Sequence, residues 1–345
     1  MKKLGLFSLL LWIFLCIRAQ QKNEFTVLQW NIWQEGTQVK GGYDAIVDEI
    51  VRLKPDFVTL SEVRNYKNTR FCDRIVQSLK QRGETYYSFF SYDSGLLSRY
   101  PITDSLTVFP LKDDHGSIYK MVSSIHGHRI AVYTAHLDYL NDAYYNARGY
   151  DGFTWKEIPI PQTVCEVLQV NDASLRDDAI RNFIAEAKND IAEGIIVILG
   201  GDFNEPSHLD WTRETKDLFD HNGLIVPWTV PLLLDNNGFV DTYRELYPDV
   251  LGYPGFTFPA DNPQISVERL TWAPKVDERD RIDYVFYHPH PAIELIDAVI
   301  FGPRSSIVNS KRMPEESKDR FLLPLGVWPT DHKGLLVTFR LKNNL

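Results

Sequence analysis

The chain has 345 residues, 44% of them apolar and 13% aromatic, a composition that supports a substantial hydrophobic core and excludes an intrinsically disordered protein. Its net charge of -9 and its lack of any long lysine or arginine run count against a tight, sequence-independent nucleic-acid binder, whose affinity comes from cations that neutralise phosphates. Without repeats, low-complexity tracts or linkers rich in Pro, Gly or Ser, one α/β domain over 25–345 is the economical organisation.

The first residues have the three parts of an export signal: Lys2 and Lys3, an apolar run from Leu4 to Ile17, and the small residue Ala19 at a cleavage point. A signal peptide over 1–19 predicts a secreted or periplasmic protein, and the run is too short for a membrane span. Cys16 raises lipid anchoring as an alternative, which the bulky Leu15 before it disfavours, and an uncleaved N-terminal anchor is a third reading. Cleavage would remove Lys2, Lys3 and Arg18 and no acidic residue, taking the net charge from -9 to -12. Cys72 and Cys165 would then be an even pair where disulfides are permitted, with two buried free thiols as the other outcome.

Phe25, Val27 and Gln29 alternate with Thr26, Leu28 and Trp30, which predicts a strand covered on both faces that delivers Asn31. Ile46, Val47, Ile50 and Val51 share a helical face, Pro55 ends that helix, and a strand from Phe57 to Leu60 delivers Glu62. A strand from Ile130 to Ala135 leads into His136. The long interval that follows opens with Tyr139, Tyr144, Tyr145, Tyr150, Phe153 and Trp155, an insertion near 139–173 whose aromatics either meet a ligand or pack the insertion onto the domain. Ser174 with Asp177 predicts a capping-box-like start to a helix with an apolar stripe of Ile180, Phe183, Ile184, Ala187 and Ile191. Ile195 to Leu199 reads as a buried strand, after which Gly200 and Gly201 release the chain into Asp202-Phe203-Asn204. Strands are expected again at Tyr284 to Tyr287, after Asp283, and at Leu335 to Phe339, after Asp331-His332. Between them a second insertion, 303–329, carries Arg304, Lys311, Arg312, Lys318 and Arg320, either as a cover for a site or as a solvated loop.

Asn31, Glu62, His136, Asp202, Asn204, Asp283, Asp331 and His332 thus all sit beside strand ends, where layered α/β folds gather side chains in one crevice. Singly, an Asn or Asp after a strand is ordinary turn chemistry. Together they offer what phosphoester hydrolysis requires. Glu62 and Asp202 are hard oxygen ligands for Mg²⁺ or Ca²⁺, Asn31 and Asn204 position ion, phosphate or water without added charge, and His136 and His332 are donors, one oriented by a carboxylate such as Asp283. Zinc is disfavoured by the lack of a helically spaced His pair or a Cys cluster, and a serine hydrolase by the lack of Gly-X-Ser-X-Gly.

Six segments, Gln29-Trp30-Asn31-Ile32-Trp33, Leu60-Ser61-Glu62-Val63, Thr134-Ala135-His136-Leu137, Gly201-Asp202-Phe203-Asn204, Arg281-Ile282-Asp283-Tyr284 and Thr330-Asp331-His332, resemble in order the motif set of the endonuclease/exonuclease/phosphatase superfamily. That superfamily includes DNase I-like nucleases, neutral sphingomyelinases and inositol polyphosphate phosphatases. The resemblance implies a DNase I-like four-layer α/β sandwich, two packed β-sheets flanked by helices, and a metal-dependent phosphoric ester hydrolase, first of all a phosphodiesterase. It implies Mg²⁺, with Mn²⁺ or Ca²⁺ as substitutes, held chiefly by Glu62 with Asn31 and Asp331 nearby. By the same resemblance Asp202 and Asn204 orient the attacking water, His136 and His332 bind the scissile phosphate, and Asp283 partners one imidazole. Arg64 resembles a phosphate-contacting arginine of DNase-like members, against the plainer reading of a solvated loop residue. Trp33 stands where abasic-site nucleases carry Asp, and no Lys/Arg cluster suited to inositol phosphates accompanies the motifs. A sphingomyelinase-like lipid phosphodiesterase and a secreted nuclease are the leading specific forms, and a secreted ligand-binding protein on the same fold is the non-enzyme alternative. A monomer is expected, with a phosphoester as substrate and no stable nucleic-acid complex.

Overall fold

The computed structural model describes residues 23–112 and 115–342, so the expected signal peptide of residues 1–19 lies outside the described residues. In chain order the strands are β1 (Glu24–Asn31), β2 (Phe57–Val63), β3 (Asp93–Ser98), β4 (Ile102–Phe109), β5 (Gly116–Ile125), β6 (His128–Leu137), β7 (Ile196–Asp202), β8 (Val240–Asp241), β9 (Asp283–Tyr287), β10 (Ile293–Phe301), β11 (Ser305–Val308), β12 (Lys311–Pro314), β13 (Phe321–Leu322) and β14 (Gly334–Leu341). The helices are α1 (Gly42–Leu53), α2 (Phe71–Gln81), α3 (Ala143–Asn146), α4 (Val164–Asn171), α5 (Arg176–Ala192), α6 (Thr229–Asn236) and α7 (Thr242–Leu246). Two six-stranded mixed sheets result, ordered β13-β10-β14-β1-β2-β3 and β4-β5-β6-β7-β9-β8, with β11 and β12 as a separate hairpin.

The alternation in β1 builds the layers. Phe25 and Val27 point between the sheets, where they pack with Phe57, Val132, Ile198 and Val337. Leu28 and Trp30, on the other face, pack with Ile46, Val47 and Ile50 of α1 and with Phe71 and Ile75 of α2. In the second sheet Tyr133 and Leu199 face outward onto Ile180, Phe183 and Ile184 of α5. The order is helix, sheet, sheet, helix: the four-layer α/β sandwich expected. Each fully buried side chain of this kind contributes roughly 1.5–3 kcal/mol of transfer free energy, so packing holds the helices far more than intrinsic propensity does.

Local chemistry sets where elements stop. At the end of α1, Lys54 turns left-handed (φ 49°) and returns its N–H to the Ile50 carbonyl, after which Pro55 permits no further helical turn. The expected capping box at Ser174 and Asp177 does not form. The Ser174 hydroxyl donates back to the Asn171 carbonyl, Leu175 takes the N-cap position without a side-chain bond, and Asp177 faces Arg181 at 3.6 Å. A capping box occurs instead at Thr163 and Glu166, at the start of α4. Gly200 and Gly201 do not release the chain either, since β7 continues through them to Asp202. Close approaches require them: a Cβ on Gly200 would collide with the Thr59 side chain of the opposite sheet, and one on Gly201 would lie 2.5 Å from the Ala135 carbonyl of the adjacent strand β6.

Cys72 and Cys165 are both free, Cys72 buried and Cys165 exposed, so they form neither a disulfide nor a pair of buried thiols. Among the described residues no helix is long and apolar enough to cross a membrane.

Candidate active site

Strand direction gathers the functional residues at one edge. β1 runs parallel to β2, and β6 parallel to β7, so their C-terminal ends deliver Asn31 and Glu62 from one sheet, His136 and Asp202 from the other. β9 and β14 run antiparallel to β7 and β1; their N-terminal ends therefore bring Asp283 and the segment Asp331-His332 back to the same edge. The two sheets meet in a 2.8 Å hydrogen bond from Asn31 Nδ2 to Asp202 Oδ2. Glu62, His136, Asp202, Asn204, Asp331 and His332 line a cleft of about 610 Å³. Asn31 and Asp283, 1% and 0% exposed, stand behind them as supports.

Two of these residues depend on unusual backbone. The β2–β3 register shifts between Ser61 and Val63, and Glu62 there takes φ 68°, a left-handed conformation uncommon for a residue with a side chain. Such a bulge re-aims a side chain that an unbroken strand would direct elsewhere. The Glu62 carboxylate accepts the Asn31 amide at 3.1 Å and the Gln34 N–H at 2.9 Å. Asn204 is left-handed too (φ 48°); its N–H donates to Asp202 Oδ1 at 3.0 Å and its side-chain amide to the Leu137 carbonyl at 2.9 Å.

The two imidazoles have separate carboxylate partners. His332 Nδ1 lies 2.9 Å from Asp283 Oδ2, and His136 Nδ1 lies 2.9 Å from Asp93 Oδ1. Their Nε2 atoms face the same oxygen, Asp202 Oδ2, at 3.8 and 3.9 Å. Burial opposes charge on both rings, but Asp93 and Asp202 outweigh it at His136, lifting it to about 9, and Asp283 and Asp202 lift His332 to about 10. Both are imidazolium at neutral pH. Burial and the nearby Asp283 charge raise Asp202 to about 6, while the two imidazoliums and Asn31 restrain the rise.

Asp93 was not signalled by the sequence. A single Asp between Tyr92 and Ser94 has no motif, and only the antiparallel pairing of Val63 with Asp93 brings β3 to the site. Gln29 has the pattern of an ordinary strand residue, yet its amide reaches Asp283 Oδ1 and Ser61 Oγ, both at 3.4 Å, while its carbonyl accepts Thr59 Oγ1 at 2.6 Å. Arg64 is not a solvated loop residue: it lines the cleft and pairs with Asp93 at 2.9 Å. Of the interval after His136, Tyr139, Tyr144, Tyr145 and Trp155 line the cleft, Tyr150 is buried, and Phe153 is exposed away from it. The 303–329 segment forms the β11–β12 hairpin and contributes nothing to the cleft lining. Its Arg312 pairs with Asp261, Lys318 with Asp249, and Arg320 with Asp297.

Two groups of side chains are candidates for a cation. Asp202, Asp283 and His332 offer ligand atoms within 4.8 Å of one another. That trio has His332 hydrogen-bonded to Asp283 and 3.8 Å from Asp202, however, and its imidazolium would repel a cation. Glu62 and Asp331 fit a hard divalent ion better. Burial, and then the Glu62 charge, push the Asp331 carboxyl up to about 7 against the pull of His332. Two acids held in mutual repulsion are the oxygen set that such an ion relieves, while Asn31 turns its Nδ2 to Glu62 and its Oδ1 to the Trp33 N–H at 2.9 Å.

Known proteins share this architecture. Uncharacterized protein F14F9.5 of Caenorhabditis elegans is 28% identical over 267 residues, covering 77% of this chain and 79% of its own. TDP2 of D. rerio, solved with a single-strand DNA product, superposes with a TM-score of 0.51 at 17% identity, over 92% of this chain and 99% of that one. Truncated Caenorhabditis elegans TDP2 gives 0.51 at 17% identity, over 92% and 97%. At such identities these structures speak for the fold. The sequence profile that matches residues 28–332 takes in the whole constellation from Asn31 to His332, and by it the chain belongs to the Endonuclease/Exonuclease/phosphatase family.

Proposed function

We propose that this chain is a divalent-cation-dependent phosphodiesterase that cleaves its substrate by attack of water. The observation that carries the reading is the pair of carboxylate-backed imidazoliums, His136 with Asp93 and His332 with Asp283, converging on Asp202 Oδ2. Fixed donors aimed at one point stabilise charge as it develops on phosphoryl oxygens. Asp202, raised to about 6, is suited to take a proton from water near neutral pH. Asn204, bonded to it at 3.0 Å, fixes the water's approach. As the new P–O bond forms and the ester bond breaks, one imidazolium gives its proton to the leaving oxygen. A divalent cation, Mg²⁺ first with Mn²⁺ or Ca²⁺ as substitutes, would be held chiefly by Glu62 and Asp331, with Asn31 nearby, and would neutralise the phosphate charge.

Hydrolysis of bis-p-nitrophenyl phosphate with Mg²⁺ is the direct test, and His332→Ala is expected to lower kcat by about 10²–10⁴-fold. A chain that turns over neither this compound nor nucleic acid, sphingomyelin or inositol phosphates, with Mg²⁺, Mn²⁺ or Ca²⁺, is a ligand-binding protein instead. The N-terminal pattern of Lys2, Lys3, the apolar run and Ala19 supports action outside the cytoplasm, and N-terminal sequencing of the protein from its native host is expected to start just after Ala19.

A further inference from the structure

The cleft wall beside the imidazoles is aromatic and rigidly mounted. Tyr145 meets Trp155 edge-on, with ring centres 5.0 Å apart at 84°, and Trp155 lies against Trp272 at 5.0 Å and 35°. All three line the cleft with His136 and His332, and Trp272 is 49% exposed. A buried carboxylate mounts the wall. Glu278, 1% exposed, accepts the Tyr145 hydroxyl at 3.1 Å, the Trp272 N–H at 3.0 Å, the Ala273 N–H at 3.1 Å and the Thr271 hydroxyl. Lys275 and Glu157, 2.5 Å apart, tie together the two segments that carry Trp272 and Trp155.

Ring arrangement and charge narrow the occupant. A cage for a quaternary ammonium needs rings set around an empty centre, whereas these rings fill the space between one another and leave Trp272 facing the cleft. Among the described lining residues Arg64 is the only Lys or Arg, and it already pairs with Asp93. A polyanion tracked along the cleft would need a row of such cations.

We propose that Trp272, backed by Trp155 and the buried Tyr145, is a stacking platform for a planar ring on the substrate, so that the cleft takes a compact phosphodiester with one phosphate beside an aromatic group. This rests on the phosphodiesterase reading for its chemistry, but binding tests it separately. Isothermal titration of the Mg²⁺-loaded protein with phenylphosphonate and methylphosphonate is expected to show the phenyl compound bound about ten- to a hundredfold more tightly. Trp272→Ala should bring that ratio close to one while leaving methylphosphonate binding unchanged, and Trp272→Phe should restore most of it. Equal binding of the two compounds to the unaltered protein, or a ratio that survives Trp272→Ala, overturns the platform. Affinity for thymidine oligonucleotides that climbs steadily with length overturns the restriction to one phosphate. A phenyl preference lost in Trp272→Ala, in a protein that hydrolyses no phosphoester, upholds the platform and removes the phosphodiesterase reading.

Discussion

His136 owes its charge to a residue that no motif announces. Burial opposes charge on its imidazole, and of the two carboxylates that outweigh burial the stronger is Asp93, 2.9 Å away. Asp93→Asn removes the larger attraction and leaves Asp202 alone against burial, so the ring should titrate below its present value of about 9, as followed by NMR of its imidazole proton. Because the folded value exceeds the ordinary 6.5, the pair adds stability that is full below about pH 6.5 and is lost as pH rises through about 9. In Asp93→Asn that alkaline loss should shrink; an unchanged titration would remove Asp93 from the account. Asp283 does not line the cleft and, on the proposed phosphodiesterase reading, acts through His332 as a positioning residue. Asp283→Asn is expected to lower kcat by about a hundredfold or more with little change in KM, and to shift the alkaline limb of the rate profile to lower pH. An effect confined to KM would mean that Asp283 supports binding instead.

Among the elements, β7 separates what the sequence discloses from what it does not. A buried run ending near Asp202 is visible as a block of apolar residues, and the ends of β1, β2 and β6 are visible by the same rule, which is why Asn31, Glu62 and His136 could be named. Gly200 misleads, because a glycine after an apolar run looks the same whether it frees a turn or admits a neighbour. Here it admits Thr59 from the opposite sheet, a tertiary contact with no local signature. Asp93 and Gln29 were hidden for the same reason, since their roles depend on strand register and sheet packing. Gly200→Ala should therefore destabilise the fold by about 1–3 kcal/mol in urea unfolding, and much less in a Thr59→Ala background. Equal losses in both backgrounds would show that the two sheets are not in contact there.

For the whole molecule, the site is bought with buried charge that the fold must tolerate before any substrate arrives. Asp331 sits at about 7, raised first by burial and then by Glu62. A carboxyl raised in the folded state contributes stability that is full below its unfolded value near 3.8 and is lost as pH rises through about 7. The cation-free protein should thus weaken from pH 5 to pH 8, with the loss of His136 charge adding to it at higher pH. A divalent cation bound between Glu62 and Asp331 favours the ionised acids and reverses the first of these losses. Thermal unfolding with and without Mg²⁺ is then expected to show a small rise in Tm at pH 5 and a larger one at pH 8. At a concentration a hundred times Kd the stabilisation is about 2.7 kcal/mol. Glu62→Gln should abolish the rise while the fold persists, since its carboxylate accepts two hydrogen bonds, from Asn31 and Gln34, and the amide keeps an acceptor oxygen. A Tm that ignores Mg²⁺ at every pH would place the cation elsewhere and leave the repulsion between these two acids as a standing cost of the fold.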